Sequence, residues 1–497
     1  WRTTTSLCGC IIMSGPFGST AWMANPSTGG FYDFPISNSL RFEDGDSPTL
    51  RRTPGTAGNR KTWTTSLWVK RANLGGGQRL GINSGTSNTT FTGFYFNPDN
   101  TINFFHRNNT SDSHAVQTIR KFRDTSSWYH FVLACDTTQS TAANRVKMYV
   151  NGEQVLFPVV VDGTGGFPDQ DQDMQVNNTA YHQTIGADWN GTDKFDGYHA
   201  DITHIDGLQL TPSSFAETKN DIWIPKDTSG LTFGTNGFRL QFKQTGTGTA
   251  STSTIGADTS GETNHYTSAN LVASDVMPDS PTNNFATLNP LSKFTSNTTL
   301  AEGNLKANAS NSGASNWGTT FSSIAIPSTG KYYIEGFAFI NDGIGNSSHL
   351  GVLDSSSFIP SSSNVTYSFT TGEGFDGVHA SLYGNTVQPV ADGVLGTAVT
   401  GLTATTIDVM LAVDVDAGKV WAGYNGTWLN SGDPAAGSGE IATRTFTAND
   451  VIAAGTSYNG TNDQGMFTNF GQDSSFAGAK TAQNNADGND IGDFYYA

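Results

Sequence analysis

Two carboxyl groups about 5–5.5 Å apart are enough to hydrolyse a glycosidic bond with retention, so paired acids are the first chemistry to seek in this chain. Its eight Glu residues are scattered from Glu43 to Glu440, and none begins a Glu-x-Asp run. Asp414 and Asp416 share strand parity but sit where a β-hairpin is predicted, which favours a turn over a catalytic pair. Nucleophile motifs are also missing: there is no Gly-x-Ser-x-Gly elbow and no Gly-rich phosphate loop ending in Lys-Ser/Thr. Among nine His, none forms a His-x-x-x-His pair on a helix, and strict alternation puts His199 and His204 on opposite strand faces. The expectation is a protein that is not an enzyme.

Residues suited to holding a ligand are easier to find. Asp169, Asp171 and Asp173 alternate in a Gly-flanked loop and offer the hard oxygen ligands that calcium prefers. They lack the Gly and terminal Glu of an EF-hand, so calcium is the one cofactor the residues admit and none is required. Asp188-Trp189-Asn190-Gly191 and Tyr424-Asn425-Gly-Thr-Trp428 each put an aromatic ring beside an amide near a turn. A ring can cover the apolar face of a sugar while amides bond its hydroxyls, so Trp189, Asn190, Tyr424, Asn425 and Trp428 are the candidate carbohydrate- or partner-binding residues.

Composition narrows the partners. The 497 residues carry 26 Lys and Arg against 43 Asp and Glu, a net charge of −17. Such a field opposes nucleic acid, whose phosphates need clustered cations. The densest basic stretch, Arg51 to Arg71, is broken by Pro, Gly and a predicted strand and reads as a solvated face. No apolar run approaches the roughly 20 residues that span a bilayer, so membrane insertion is not expected. Three Cys cannot staple a chain of this length: Cys135 is in phase with Tyr129, Phe131 and Leu133 as a core thiol, and Cys8-x-Cys10 is a poor metal site.

The elements that must carry these residues are strands. Only 14% of residues are charged, 57 are Gly, and 31 Phe and 10 Trp supply core volume. That profile suits many short strands joined by Gly/Asn/Ser turns. In Asn144 to Gly152, Val146, Met148 and Val150 share one face, while Arg145, Lys147 and Tyr149 share the other; Asn151-Gly152 then starts a hairpin. The predicted class is all-β: two antiparallel jelly-roll β-sandwiches joined by an irregular Gly/Ser/Thr-rich segment. The expected divisions are an N-terminal arm over 1–36, a first sandwich over 37–225, a linker over 226–283, a second sandwich over 284–478 and a polar tail over 479–497. A short helix is predicted after Thr211-Pro212.

Thr62-Trp-Thr-Thr-Ser-Leu-Trp68, Trp128-Tyr-His130, Arg145 to Gly152 and Phe195-Asp-Gly197 make the first half resemble a concanavalin A-like, laminin-G-like lectin domain. The resemblance implies a sandwich whose rim loops hold carbohydrate or protein, sometimes with calcium. Gly330-Lys-Tyr-Tyr-Ile-Glu335, the strand from Asp408 to Asp414, Asn425-Gly426 and Asn469-Phe-Gly-Gln472 make the second half resemble a SPRY domain, another non-catalytic binding sandwich. Ile334 stands where that family usually has an aromatic. With Trp223-Ile-Pro225, Asp279-Ser-Pro-Thr282 and Thr287-Leu-Asn-Pro290 between the halves, the order is similar to structural proteins of marine tailed bacteriophages. The resemblance implies a virion-surface protein of a tail fibre, appendage or capsid exterior. It would adhere to host surface glycan or protein through rim loops, dock on other virion proteins through the arm, and form a homo-oligomer, trimeric by analogy with fibres. The start at Trp1 then reads as that of a processed or partial chain. The alternatives are a purely architectural decoration or linker protein and, from another class, a secreted polysaccharide-degrading enzyme.

Overall fold

The computed structural model describes residues 30–497 except 111, 162, 294–297, 310–315, 340–346, 357–373, 382–385, 403–405, 459–464, 489 and 497. Most of the expected arm, with Cys8 and Cys10, lies outside the described residues. The rest is all-β, as the alternation predicts, and every strand pairing is antiparallel.

In the first sandwich, one sheet is built on the neighbours Val146–Val150, Tyr129–Asp136, Thr62–Arg71 and Gly197–Asp206, with Ser39–Phe42 beyond them. The facing sheet carries Ser113–Gln117, Ile102–Arg107, Thr90–Phe96, Gln78–Ser87, His182–Ile185 and Thr49–Arg52. Alternate side chains from both fill one core, including Leu67, Phe94, Phe96, Phe104, Phe131, Met148 and Phe195. Each buried ring or large aliphatic group stabilises the fold by about 1.5–3 kcal/mol. Cys135 belongs to this core. The Asn151-Gly152 hairpin forms with both residues at positive φ, +50° and +87°, the handedness a two-residue turn needs.

Three expectations are corrected. Residues 226–283 are not a linker. Phe238–Leu240 and Val276–Met277 join the first sheet, Thr267–Ala269 joins the second, and Phe238, Leu240, Phe242, Ile255, Tyr266 and Leu271 are core residues of the first sandwich. These apolar groups are spread through Gly, Thr and Ser, so no local period announces them. His199 and His204 do not point to opposite faces. A bulge between Ala200 and Thr203, with Asp201 at φ +41°, resets the phase. Both rings therefore enter the first core, His199 stacked on Phe195 at 4.2 Å and His204 on Phe238 at 5.3 Å. The helix predicted after Thr211 is a single 3-10 turn, Pro212–Ser214.

In the second sandwich, one sheet orders Thr298–Ala301, Lys306–Ala309, Gly465–Asn469, Lys331–Phe339, Thr406–Asp414, Lys419–Tyr424 and Thr427–Trp428. The other orders Asn316–Phe321, Asp450–Tyr458, Ser347–Asp354, Asp376–Ser381 and Thr386–Ala391. Its core is largely aliphatic and continues without a break into the junction with the first sandwich, where Trp68, Trp128, Tyr198 and Met277 meet Leu288, Leu300 and Leu305. Buried charges fasten the same junction. Lys70 Nζ lies 2.8 Å from Asp279, both fully buried, and also donates to the Phe285 carbonyl at 2.6 Å. Arg41 reaches Asp275 at 3.0 Å, Glu302 at 3.2 Å and Asp473 at 3.5 Å.

Candidate functional site: an aromatic cleft on the second sandwich

Strand parity decides what the second sandwich shows to its outside. In Lys331–Phe339, Ile334 and Ala338 face the core; in Thr406–Asp414, Ile407, Val409, Leu411 and Val413 do. Their neighbours Lys331, Tyr333, Ala412 and Asp414 therefore point outward, with Trp421 beside them on the next strand. These groups floor a cavity of about 700 Å³. Trp428, the Asp433-Pro434-Ala435 loop and Asn283 to Phe285 form its sides, and Asp487, Ile491, Phe494 and Tyr496 close over it.

That covering segment is the expected polar tail, which is bound to the sandwich. Glu335 accepts the Tyr495 and Tyr496 backbone N–H groups at 2.8 and 2.6 Å, the Tyr333 hydroxyl at 2.9 Å and the Asn469 amide at 3.3 Å. Burial pushes the Glu335 carboxyl up, against those same donors. Tyr496 Oη donates to Asp408 at 2.8 Å, Lys480 pairs with Asp408, and the Lys480 ammonium stands 3.9 Å over the Tyr495 ring. The cleft rings are thereby oriented: Tyr333 meets Phe494 at 5.2 Å and Trp428 edge-on at 6.1 Å, while Trp421 Nε1 donates to the Ser438 carbonyl at 2.8 Å.

The polar groups of the cleft suit binding better than proton transfer. Asp414 pairs with Lys331 at 3.1 Å and accepts the Ala417 N–H at 2.9 Å. Against the desolvation that would raise it, those two donors hold its carboxyl below the ordinary value, so it stays ionised and unfit as a general acid. Glu335 is enclosed by four donors. Asp433 Oδ1 accepts the Ala436 N–H at 2.9 Å.

Of the candidate binding residues picked from sequence, the cleft contains Trp428 alone, together with Asp414 of the carboxylate pair weighed for catalysis. Tyr424 packs on the core side of its strand, and Asn425, at φ +43°, makes the turn with its amide oxygen accepting the Asp408 N–H at 3.0 Å. Trp189 and Asn190 lie in a turn of the first sandwich, where Asn190 Oδ1 accepts the Thr192 N–H at 3.0 Å. Asp169, Asp171 and Asp173 are exposed, and their carboxylates do not gather within ligand range of one another. Asp171 and Asp173 instead face Lys61 at 3.7 Å and Arg60 at 3.4 Å. Sequence reasoning passed over Tyr333, Trp421, Phe494 and Tyr496. The one local signal was the Phe494-Tyr-Tyr496 run at the end of an otherwise hydrophilic tail.

Comparison with known proteins agrees with the class of fold. A family model described as the concanavalin A-like lectin/glucanases superfamily matches residues 44–213. The first sandwich is accordingly a concanavalin A-like, laminin-G-like domain. No curated protein sequence matches the chain. Similar solved structures include a native heptameric SAP-like pentraxin from Limulus polyphemus, at 18% identity over 36% of this chain and 80% of that one, with a TM-score of 0.25. Domains LG4-5 of the mouse laminin alpha1 chain are 10% identical over 84% and 82%, with a TM-score of 0.27. The SPRY domain of human HERC1 is 13% identical over 36% and 96%, with a TM-score of 0.24.

Proposed function

We propose that this chain is a non-catalytic adhesin that holds a surface glycan in the aromatic cleft of its second sandwich. One observation carries the reading: Tyr333, Trp421, Trp428, Phe494 and Tyr496 line one cavity, whose polar margin is Lys331, Asp414, Asp433 and Asp487. Rings accept the C–H faces of a sugar, and the charged margin bonds its hydroxyls. The acidic margin and the net charge of −17 favour neutral or amino-bearing sugars over anionic polysaccharide.

The finer setting belongs to the same proposal. Display on the surface of a tailed bacteriophage, with the N-terminal arm docking on other virion proteins and a trimeric assembly, is supported by the order of motifs where the first sandwich ends and the second begins. Those motifs are junction parts: Trp223 Nε1 donates to His130 at 3.0 Å, Asp279 receives Lys70, and Thr282 Oγ1 donates to the Ile36 carbonyl at 2.9 Å.

Glycan-array binding by the full chain, followed by calorimetry on the best ligand, tests the cleft. Trp428→Ala should abolish retention while Trp189→Ala leaves it intact. Binding that survives Trp428→Ala and fails with Trp189→Ala would move the site to the first sandwich. Release of reducing sugar from the bound polysaccharide would replace the adhesin with an enzyme. Antibody labelling of purified particles tests the virion setting.

A further inference from the structure

We infer that Glu43, Asp44 and Asp196 form a calcium site at the junction of the two sandwiches, independent of the glycan cleft. Register brings them together. Phe42 pairs with Gly197 across antiparallel strands, so the next residues outward, Glu43 and Asp196, fall opposite each other. Like charges set opposite one another across a sheet are destabilising, and here Asp44 adds a third. One oxygen from each carboxylate lies within 4.8 Å of the others, the convergence a bound cation needs.

A second observation points to the ligand. Asp196 is 1% exposed; it turns Oδ2 to the Asn73 amide, and its Oδ1 has no hydrogen-bond partner. A buried carboxylate oxygen left without a partner is costly, and a cation held by the three groups would supply one. The protein's own cations nearby are committed elsewhere: Arg41 to Asp275, Glu302 and Asp473, and Arg71 to Asn100, Gln78 and the Phe122 carbonyl. Three carboxylates with no His or Cys make a hard, all-oxygen donor set. Calcium accepts such a set in irregular geometry and completes it with water, whereas magnesium demands a near-ideal octahedron.

The site also touches the second sandwich, since the Gly303 N–H donates to Glu43 Oε2 at 3.2 Å. An ion here therefore ties the edge of the first sandwich to the loop after Thr298–Ala301.

The test uses the full chain, stripped with chelator and then titrated with calcium or magnesium chloride. Metal content after gel filtration and the thermal midpoint are the readouts. The expected result is a single calcium per chain and a midpoint raised by calcium far more than by magnesium. Asp196→Asn should lose the response. Asp44→Asn, at a half-buried position that tolerates the amide, should bind at least about tenfold more weakly, because site charge sets affinity. The triple variant Asp169→Asn, Asp171→Asn, Asp173→Asn should respond like the parent. A parent chain that retains no calcium and shows no shift overturns the inference, as does an Asp44→Asn chain that binds like the parent.

Discussion

The two sandwiches share an architecture and differ in where they keep their rings. The first buries them: Phe42, Phe94, Phe96, Phe104, Phe122, Phe131 and Phe195 interlock between its sheets, and Arg71 lies 4.1 Å over Phe96. The second fills its interior with Val, Leu, Ile and Ala, such as Val352, Val409, Leu411 and Val420. Phe375 and Phe470 are buried among them, but Tyr333, Trp428 and Tyr496 stand half-buried at the outer face, beside the enclosed Trp421 and Phe494. A ring inside a core contributes stability, and a ring on a sheet's outer face is available to something else. The same residue type thus marks a scaffold in one half and, in the other, part of the proposed binding cleft.

Acid should break this symmetry most. Burial lowers His106 to about 4 and His130, His199 and His204 to about 3 in the first sandwich, four such rings against two in the second, His349 and His379. Each ring is neutral when folded and takes a proton near pH 6.5 when unfolded. Its contribution is therefore present above 6.5 and lost as pH falls towards the folded value, at about 1.4 kcal/mol per unit. Urea unfolding followed by near-ultraviolet dichroism should show a markedly less stable first sandwich at pH 5 than at pH 7. Glu43 acts in the opposite sense, since its raised pKa gives stability below 4.5 that is lost as pH rises through about 7. Glu43→Gln should therefore steepen the loss in acid. A flat profile between pH 7 and 5 would mean the rings are not held neutral.

Core truncation sharpens the contrast next. Phe131→Ala empties a fully buried site in the first sandwich and should cost about 3–5 kcal/mol in urea unfolding. Trp428→Ala, half-buried at the cleft, should cost about 1 kcal/mol or less while reducing glycan affinity about tenfold or more. If Trp428→Ala unfolds the protein instead, the outer rings are structural and the contrast fails. The smallest effect belongs to Asn190→Ala, whose exposed turn should change stability by about 0.5 kcal/mol and binding not at all.

Much of the fold was legible because period-two alternation is local. Thr62–Arg71, Tyr129–Asp136 and Val146–Val150 announce themselves residue by residue. Residues 226–283 did not, since strands of two or three residues such as Val276–Met277 have no period to read. The bulge at Asp201 was equally hidden, and it turned the predicted facing of His204. The sites were least legible of all. The cleft joins Tyr333 to Phe494, and the acidic trio joins Glu43 to Asp196, through pairings that only the folded chain creates. An acidic run such as Asp169 to Asp173 draws the eye because its members are neighbours in sequence. Side chains that alternate along an exposed turn diverge, so that same adjacency kept them apart.

Arg41 gives the joined halves a mechanical property. Its guanidinium grips Asp275 from the first sandwich and Glu302 and Asp473 from the second, beside the sealed Lys70–Asp279 bond. Swinging the two sandwiches apart would therefore mean pulling the Arg41 guanidinium away from Glu302 and Asp473, leaving a buried charge short of partners.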